Sequence, residues 1–338
     1  MTRFPKKWFV FTLLLIWFFF SMFPVYWTII TSVKTPPAVN LGPTYLPFVD
    51  FQPTLEYYTQ AFAGVRGDFF TNFINSTIIS LSATIISVLL GSMVAYSLVR
   101  FIFRIKLLSG LLFVVAGVSS YVLLVSVIGV GEVYSIGIAF LLSLIVGIGS
   151  NLLNLPGPVL GNKDVVFWFV SQRMMPPIVS AFALYLLYSK IGKVGFKMLD
   201  TYFGVTLCYI AFSLPIVVWL MRDFFSSLPA ELEEAALIDN VPRIRIFFEI
   251  VIPISLPGLI AVSLITFGFI WNEFLIGFIL TTGNWQTLPV LLAAQNSMRG
   301  NEWWSICVAT VIAVGPMVII TIFLSRMMRS GMLLGSIK

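Results

Sequence analysis

Four polar residues lie inside long apolar runs, where side chains of these types can bind a polar solute or join two helices. Gln172 and Arg173 share one run. Asn272 and Glu273 share another. If such runs span a membrane, an ionisable group at the centre costs at least ~2.5 to 3.5 kcal/mol, so it needs a reason. These residues could line a solute path, where amide and carboxylate groups replace the water that a sugar loses, or they could hold helices together. For Arg173, snorkelling or a carbonyl-rich bend at the following prolines is the alternative.

A second group of chemically active side chains is the acidic cluster in residues 222–256. This segment holds six of the 14 acidic residues, which are Asp223, Glu231, Glu233, Glu234, Asp239 and Glu249. Pro229 and Pro242 can each open a helix, so the segment predicts one short helix over 229–239 and a second that Pro253 and Pro257 end. Charge this concentrated in a charge-poor chain indicates the place where the protein meets a soluble partner.

The residues needed for most enzyme chemistry are missing from the sequence. The chain has no histidine, the commonest general base and metal ligand, and its two cysteines, Cys208 and Cys307, stand alone in apolar runs. No phosphate-binding loop or metalloprotease motif occurs. Basic residues are scattered singly, which argues against a nucleic-acid partner. We therefore predict no catalytic residue, no metal ligand and no cofactor bound by this chain.

The composition places most of the chain in lipid. Of 338 residues 59% are hydrophobic and only 10% are charged, whereas soluble domains have about 45–50% and about 25%. A soluble fold of this length would lack the charged residues to cover its outside.

Eight charge-poor runs are long enough to cross the membrane, for which a helix needs about 20 mainly apolar residues. The predicted fold class is therefore all-α, a polytopic transmembrane helical bundle. The runs cover residues 8–31, 73–99, 107–130, 133–155, 165–189, 201–221, 257–280 and 303–325. Counting residues from the inner span ends puts Arg173 and Glu273 about 12 Å apart in depth, so we expect no ion pair between them.

The distribution of basic residues predicts that both termini are cytoplasmic. With that orientation the inner segments hold Arg3, Lys6, Lys7, Arg100, Arg104, Lys106, Lys163, Arg222, Arg243, Arg245, Arg326, Arg329 and Lys338. The outer segments hold Lys34, Arg66, Lys190, Lys193, Lys197 and Arg299. The segment 222–256 then lies in the cytoplasm.

The acidic segment resembles the EAA loop of ABC importer permeases, in which a glutamate and two alanines precede a glycine and an Ile-x-Leu-Pro string. The matching residues are Glu234-Ala235-Ala236, then Asp239-Asn240, then Ile-Val-Ile-Pro at 250–253. Asn240 stands where glycine is usual, and Ile252 replaces the leucine. Because asparagine tolerates the left-handed conformation better than most residues, the turn can persist.

Further strings resemble the MalG-type permeases of carbohydrate ABC importers in particular. They lie at residues 53–58, 75–76, 271–275 and 284–289. The resemblance covers most of residues 1–338, which we take as one transmembrane domain, but not residues 107–162. Those residues resemble an added two-helix hairpin within a six-span core, and two added helices leave the EAA-like loop on the same side of the membrane.

The resemblance implies one subunit of a sugar importer in a bacterial or archaeal cytoplasmic membrane. Its partners would be a MalF-like second permease, two ATPase subunits that use ATP and Mg, an extracytoplasmic solute-binding protein and the surrounding lipid. The EAA-like loop would couple ATPase closure to alternating access. The coupling residues it implies are Glu233, Glu234, Ala235, Ala236, Asp239 and Asn240, of which Glu234 would meet a basic ATPase residue.

Two other classes of protein remain as alternatives. A self-contained secondary transporter would require several acidic groups near the midplane and paired discontinuous helices, and Glu273 is the one candidate acid. An intramembrane enzyme would require paired carboxylates or a nucleophile with its base, which this sequence lacks.

Overall fold

The computed structural model describes residues 4–64, 69–153, 157–298 and 302–329. Four residues used to predict the orientation, Arg3, Arg66, Arg299 and Lys338, lie outside these ranges. In chain order the α-helices are α1 (Phe4–Ser32), α2 (Pro36–Asn40), α3 (Glu56–Phe62), α4 (Phe69–Arg100), α5 (Leu107–Ser126), α6 (Glu132–Leu152), α7 (Asn162–Ser171), α8 (Pro177–Lys193), α9 (Tyr202–Ser226), α10 (Glu231–Ile238), α11 (Arg243–Ile246), α12 (Ile252–Ile254), α13 (Leu256–Trp271), α14 (Leu275–Leu280), α15 (Leu288–Met298) and α16 (Trp303–Arg329).

Three short non-α elements complete the description. A 3-10 helix covers Gln172–Met174 and a π-helix covers Phe247–Val251. Strands β1 (Ile105–Lys106) and β2 (Val159–Leu160) pair in antiparallel register and close the base of the α5–α6 hairpin. The fold is therefore all-α, as predicted, with one minimal strand pair.

The described ranges contain six to eight candidate membrane crossings, in agreement with the polytopic helical bundle predicted. Six helices are long and apolar enough to span a membrane: α1, α4, α5, α6, α9 and α16. Two further segments qualify as bent pairs, 162–193 with a bend of 90° and 243–271 with a bend of 80°. The count reaches eight if each bent pair crosses once.

The span predicted over residues 165–189 is interrupted at its two prolines, where a bend was expected. The chain breaks between Met174 and Pro177, where Met175 adopts an extended conformation with ψ 136°. Two successive prolines explain the break, because each lacks an N–H and disfavours the helical conformation of the residue before it. The prolines, and not hydropathy, are the sequence signal for this break, since both halves are apolar.

The predicted continuous helix over residues 257–280 is wrong. α13 ends at Trp271, and α14 begins only at Leu275. At the other end, the helical rod Arg243–Ile254 turns by 80° into α13. The helix was expected to break at Pro253 and Pro257. The break lies between these two prolines, at Ser255. Both prolines occupy first turns, where their missing N–H is not needed.

Contacts divide the chain into two units. The first comprises residues up to Ser76 together with Gln286–Ile322. Its core includes Tyr57, Trp304 and Val308. In the same unit the amide of Asn75 donates to the carbonyl of Gln286 at 3.3 Å, and the backbone N–H of Leu288 donates to the Ser76 hydroxyl at 2.6 Å. These bonds give a structural role to the Asn-Ser string in α4.

Lys34, counted as an outer charge, is almost fully buried in the first unit. Its Nζ donates to the carbonyl of Thr44 at 2.6 Å and lies 4.5 Å from the centroid of the Trp27 ring. Burial lowers the pKa of Lys34, and the nearby Asp50 carboxylate partly opposes that shift. Lys34 therefore stabilises the folded segment that follows α1 and is not a solvated surface charge.

The second unit comprises Thr77–Trp285 together with the residues from Phe323. α9 lies in its core, with Val205, Val217, Val218 and Met221 fully buried. α4 crosses it closely at Gly91, where a methyl group added to the Cα atom would lie 2.5 Å from Cγ1 of Val217. Two helices can approach this closely only with a small residue at the contact.

Replacing Gly91 by alanine is expected to lower the free energy of unfolding by about 1–3 kcal/mol, because the added methyl overpacks the α4–α9 contact. The measurement is thermal unfolding of the purified protein in detergent. Gly137→Ala on α6 is the matched control, since a methyl there meets nothing within 4 Å. Equal stability of the two variants would contradict the close contact.

Candidate functional site

The acidic segment folds as a short helix that ends in a left-handed turn. α10 begins two residues after Pro229, with Glu231 in its first turn near the positive end of the helix dipole. It ends through two hydrogen bonds, from Asn240 N–H to the Leu237 carbonyl and from Val241 N–H to the Ala236 carbonyl, both at 3.1 Å. Asn240 has φ 57°. This is the Schellman ending that glycine usually provides, so the prediction that asparagine sustains the turn is confirmed.

Asn240 supports a prediction about this turn. Asn240→Gly should keep stability and uptake near those of the unaltered chain. Asn240→Val should lower the free energy of unfolding by about 1–2 kcal/mol, because a β-branched residue is strained at positive φ. Thermal unfolding and the rate of proteolysis in the loop would measure this. A valine variant as resistant as the glycine variant would refute the argument.

Glu233 anchors α10 to the end of α4. Its Oε1 accepts from Arg100 Nε at 2.8 Å, and its Oε2 accepts from the Tyr96 hydroxyl at 2.7 Å. The side chains of Arg100 and Glu233 are only 17% and 10% exposed. Arg100 also donates to the carbonyl of Leu228 at 3.1 Å. A buried pair with this many partners fixes the loop to α4 at a defined position.

Aromatic packing extends the same anchor to α9 and to the second half of the loop. The Tyr96 ring lies 5.1 Å from the ring of Phe247 and 6.0 Å from that of Phe225, measured between centroids. The guanidinium of Arg243 lies 5.0 Å from the Phe101 ring. These contacts pack α4, α9 and the loop into one cluster.

The opposite face of α10 is exposed and combines acidic with apolar side chains. Glu234, Ala235 and Asp239 are exposed, whereas Ala236 packs inward beside Glu233. Leu232 is 47% exposed and Ile238 is 80% exposed. No basic side chain in the described ranges pairs with Glu234. Of the predicted coupling residues, Glu233 and Ala236 therefore face the chain's own core, and the others form the outer face.

Asn272 and Glu273 lie at the gap between α13 and α14, not inside a continuous helix. The Glu273 carboxylate accepts backbone N–H bonds from Ile276 at 2.9 Å and from Gly277 at 3.2 Å. It therefore caps α14. Asn272 is exposed, and its amide donates to the carbonyl of Gly268 at 2.8 Å. Glu273 therefore has a structural role, as the cap of α14. Asn272 is exposed and keeps an accessible amide oxygen.

Gln172 and Arg173 lie at the break between α7 and α8, and both are exposed. The Arg173 guanidinium contacts the Phe212 carbonyl at 3.4 Å and lies 5.3 Å from the Phe269 ring. Phe269 precedes Asn272 by about one helical turn. Arg173 and Glu273 are both described, and no ion pair joins them, as predicted.

Three residues that position these elements were not predicted from the sequence as site residues. Tyr96 and Arg100 hold the loop, and Arg100 was counted only as an orienting charge. Asp200, with φ 53°, accepts N–H bonds from Asn284 at 3.0 Å and Trp285 at 3.1 Å. Desolvation raises the pKa of Asp200, but the backbone N–H bonds of residues 282–285 outweigh it and leave that pKa lowered. The sequence signal for the role of Asp200 was an acidic residue just before the start of α9.

The described ranges contain no cluster of three or more histidine, cysteine or acidic side chains that could hold a metal ion. The arrangement at α10 is one of ion pairing and packing. It has the chemistry of a docking element fixed to two helices.

Comparison with known proteins places this chain among transport components. A family described as binding-protein-dependent transport system inner membrane component matches residues 87–333. The trehalose/maltose transport system permease protein MalG of Thermococcus litoralis is 27% identical over 94% of this chain and 91% of its own length. The sulfoquinovosyl glycerol transport system permease protein SmoH of Agrobacterium fabrum is 24% identical over 94% and 89%.

A solved structure shares the fold. A chain of a bacterial ABC transporter involved in the import of the acidic polysaccharide alginate superimposes with a TM-score of 0.61. The superposition covers 96% of this chain and 98% of that chain at 17% sequence identity.

Proposed function

The chain belongs to the family of binding-protein-dependent transport system inner membrane components, and on this premise we propose that it is the permease subunit of an ATP-driven sugar importer. The observation that supports the proposal best is α10, whose outer face carries Glu234 and whose inner face is fixed through Glu233 to Arg100. A loop that only connected two helices would not require this buried pair.

In this proposal α10 transmits force from separate ATPase subunits. The exposed Leu232, Ala235 and Ile238 supply an apolar contact, and Glu234 and Asp239 offer carboxylates to basic residues of the ATPase. When the ATP-bound subunits close, the loop moves with them. Its anchors on α4 and α9 rotate those helices between inward-facing and outward-facing states. The chain itself catalyses no reaction.

The solute path runs, in the proposal, between this chain and a second permease. Gln172, Arg173 and Asn272 are exposed polar groups at breaks in their spans, and Arg173 contacts the ring of Phe269 on the helix that ends before Asn272. Irregular backbone at membrane depth is tolerated where it lines a cavity. The names of the relatives, which include a trehalose/maltose system and a sulfoquinovosyl glycerol system, support a carbohydrate or carbohydrate-like solute.

Asn272→Ala is expected to change the preference among sugars, with a loss of roughly tenfold in uptake for the best substrate, because one hydrogen bond to a hydroxyl is lost. Uptake of several labelled sugars by reconstituted vesicles measures the preference. Glu273→Ala is the contrasting variant, which should lower stability because α14 loses its cap. A uniform fall in uptake of all sugars by Asn272→Ala, with reduced thermal stability, would place Asn272 among the structural residues.

The proposed assembly contains a second permease, two ATPase subunits and an extracytoplasmic solute-binding protein, with both termini of this chain in the cytoplasm. The test is to purify the tagged chain from its own membrane, identify the co-purifying subunits and reconstitute them in liposomes. We expect uptake to require ATP and the binding protein. Uptake by the purified chain alone would instead identify a secondary transporter, and labelling of α10 from the outer surface would refute the orientation.

A further inference from the structure

The base of the α5–α6 hairpin has two apolar grooves that the proposed transport mechanism does not use. The first has a volume of about 380 Å³ and lies between the end of α4 and the start of α7, where Met93, Leu98 and Val165 line it. The second has a volume of about 320 Å³ and lies between α5 and α6, where Gly110 and Phe113 line it. Each has the size of a small-ligand site.

One residue separates the two grooves. Ile105 in β1 lines both of them. α5 begins two residues after it, and α6 ends at Leu152 beside the same strand pair. The hairpin therefore meets the membrane surface at Ile105. From there the first groove reaches back to Met93 and the second reaches forward to Phe113, each about 10 Å along its helix toward the hydrocarbon.

Two exposed cations, Arg104 and Lys163, stand within two residues of side chains that line the grooves. The backbone N–H of Phe103 donates to the side chain of Asn162 at 2.8 Å, which ties the segment before α5 to the start of α7. Both of these basic side chains are exposed. Asp164, the acid next to them, accepts the backbone N–H of Gly161 at 2.8 Å. No carboxylate in the described ranges pairs with either cation.

We propose that this base binds one anionic diacyl phospholipid of the phosphatidylglycerol type. One acyl chain occupies each groove, Ile105 lies between the chains, and the phosphate meets Arg104 and Lys163. Both grooves are open and lined mostly by apolar side chains, which fits an acyl chain. The net positive charge beside them favours an anionic over a zwitterionic headgroup. The site lies at the end of α4 that also holds α10, through Arg100.

The test measures lipid retained by the full chain within its purified assembly. The assembly is exchanged into detergent micelles that contain phosphatidylglycerol or phosphatidylcholine, and bound lipid is counted by native mass spectrometry. We expect about one phosphatidylglycerol per chain, and roughly tenfold to thirtyfold weaker binding in Arg104→Gln/Lys163→Gln. The matched control, Lys7→Gln/Arg326→Gln, removes two other exposed cations and should leave binding unchanged.

A third variant tests the acyl groove without changing charge. Gly110→Leu places a side chain in the second groove, and its Cβ meets no atom within 4 Å, so the helices need not move. We expect loss of the bound lipid in this variant and retention in Gly137→Leu. Thermal unfolding checks that each variant is folded. The proposal is overturned by equal retention of the two lipids, by equal loss in the control pair, or by unchanged binding in Gly110→Leu.

Discussion

Replacing Glu234 by lysine should abolish sugar uptake by the assembled importer while the chain stays inserted and folded. The Glu234 side chain is exposed on the outer face of α10, so the substitution disturbs no contact inside the chain. In the proposed function its carboxylate meets a basic residue of an ATPase subunit. A lysine there places two like charges together at a desolvated contact, which costs several kcal/mol. The expected loss of co-purifying ATPase is therefore a hundredfold or more, by conversion at ~1.4 kcal/mol per factor of ten.

Glu249→Lys provides the matched control for this experiment. It makes the same charge change in the same loop, but Glu249 forms only an exposed pair with Arg245 at 3.0 Å. Surface pairs of this kind contribute about 0–1 kcal/mol, so uptake should persist. Co-purification of the ATPase and uptake into vesicles are measured for both variants. Normal uptake in Glu234→Lys would remove α10 from the coupling mechanism and favour a self-sufficient transporter.

Much of the coupling loop could be predicted from the sequence because its signals are local. Prolines, a run of acids and the residue at position 240 each act within one or two helical turns. The position of Asn240 at φ 57° follows from the turn that ends α10. The partner of Glu233 could not be predicted in this way. Arg100 precedes it by 133 residues, and only the packing of α4 against the loop brings the two together.

The spans were predicted in number but not in continuity. Apolar composition decides whether a segment enters the membrane, and it is the same on both sides of a break. Pro176 and Pro177 gave a local signal for the 90° bend. The sequence signal for the gap after Trp271 was weaker, because the residues in the gap are not of the types that break helices. There the carboxylate of Glu273 caps the next helix, so a residue that hydropathy marks as costly is satisfied by backbone N–H groups.

Removing the Glu233 carboxylate should have the largest effect on stability. In Glu233→Ala the buried guanidinium of Arg100 and the Tyr96 hydroxyl lose their partner, which should lower the free energy of unfolding by about 3–5 kcal/mol. Uptake should be lost as well, because α10 is no longer fixed to α4.

The double variant Arg100→Met/Glu233→Leu distinguishes pairing from simple disruption. Replacing a buried ion pair by apolar side chains of similar volume is often neutral, so most of the stability should return. Thermal unfolding of Arg100→Met, Glu233→Leu and the double variant gives the coupling energy between the residues. If apolar packing also holds α10 against α4, uptake returns with stability, and the pair is needed only as an attachment. A double variant as unstable as the sum of the single ones would mean that Arg100 and Glu233 do not act on each other.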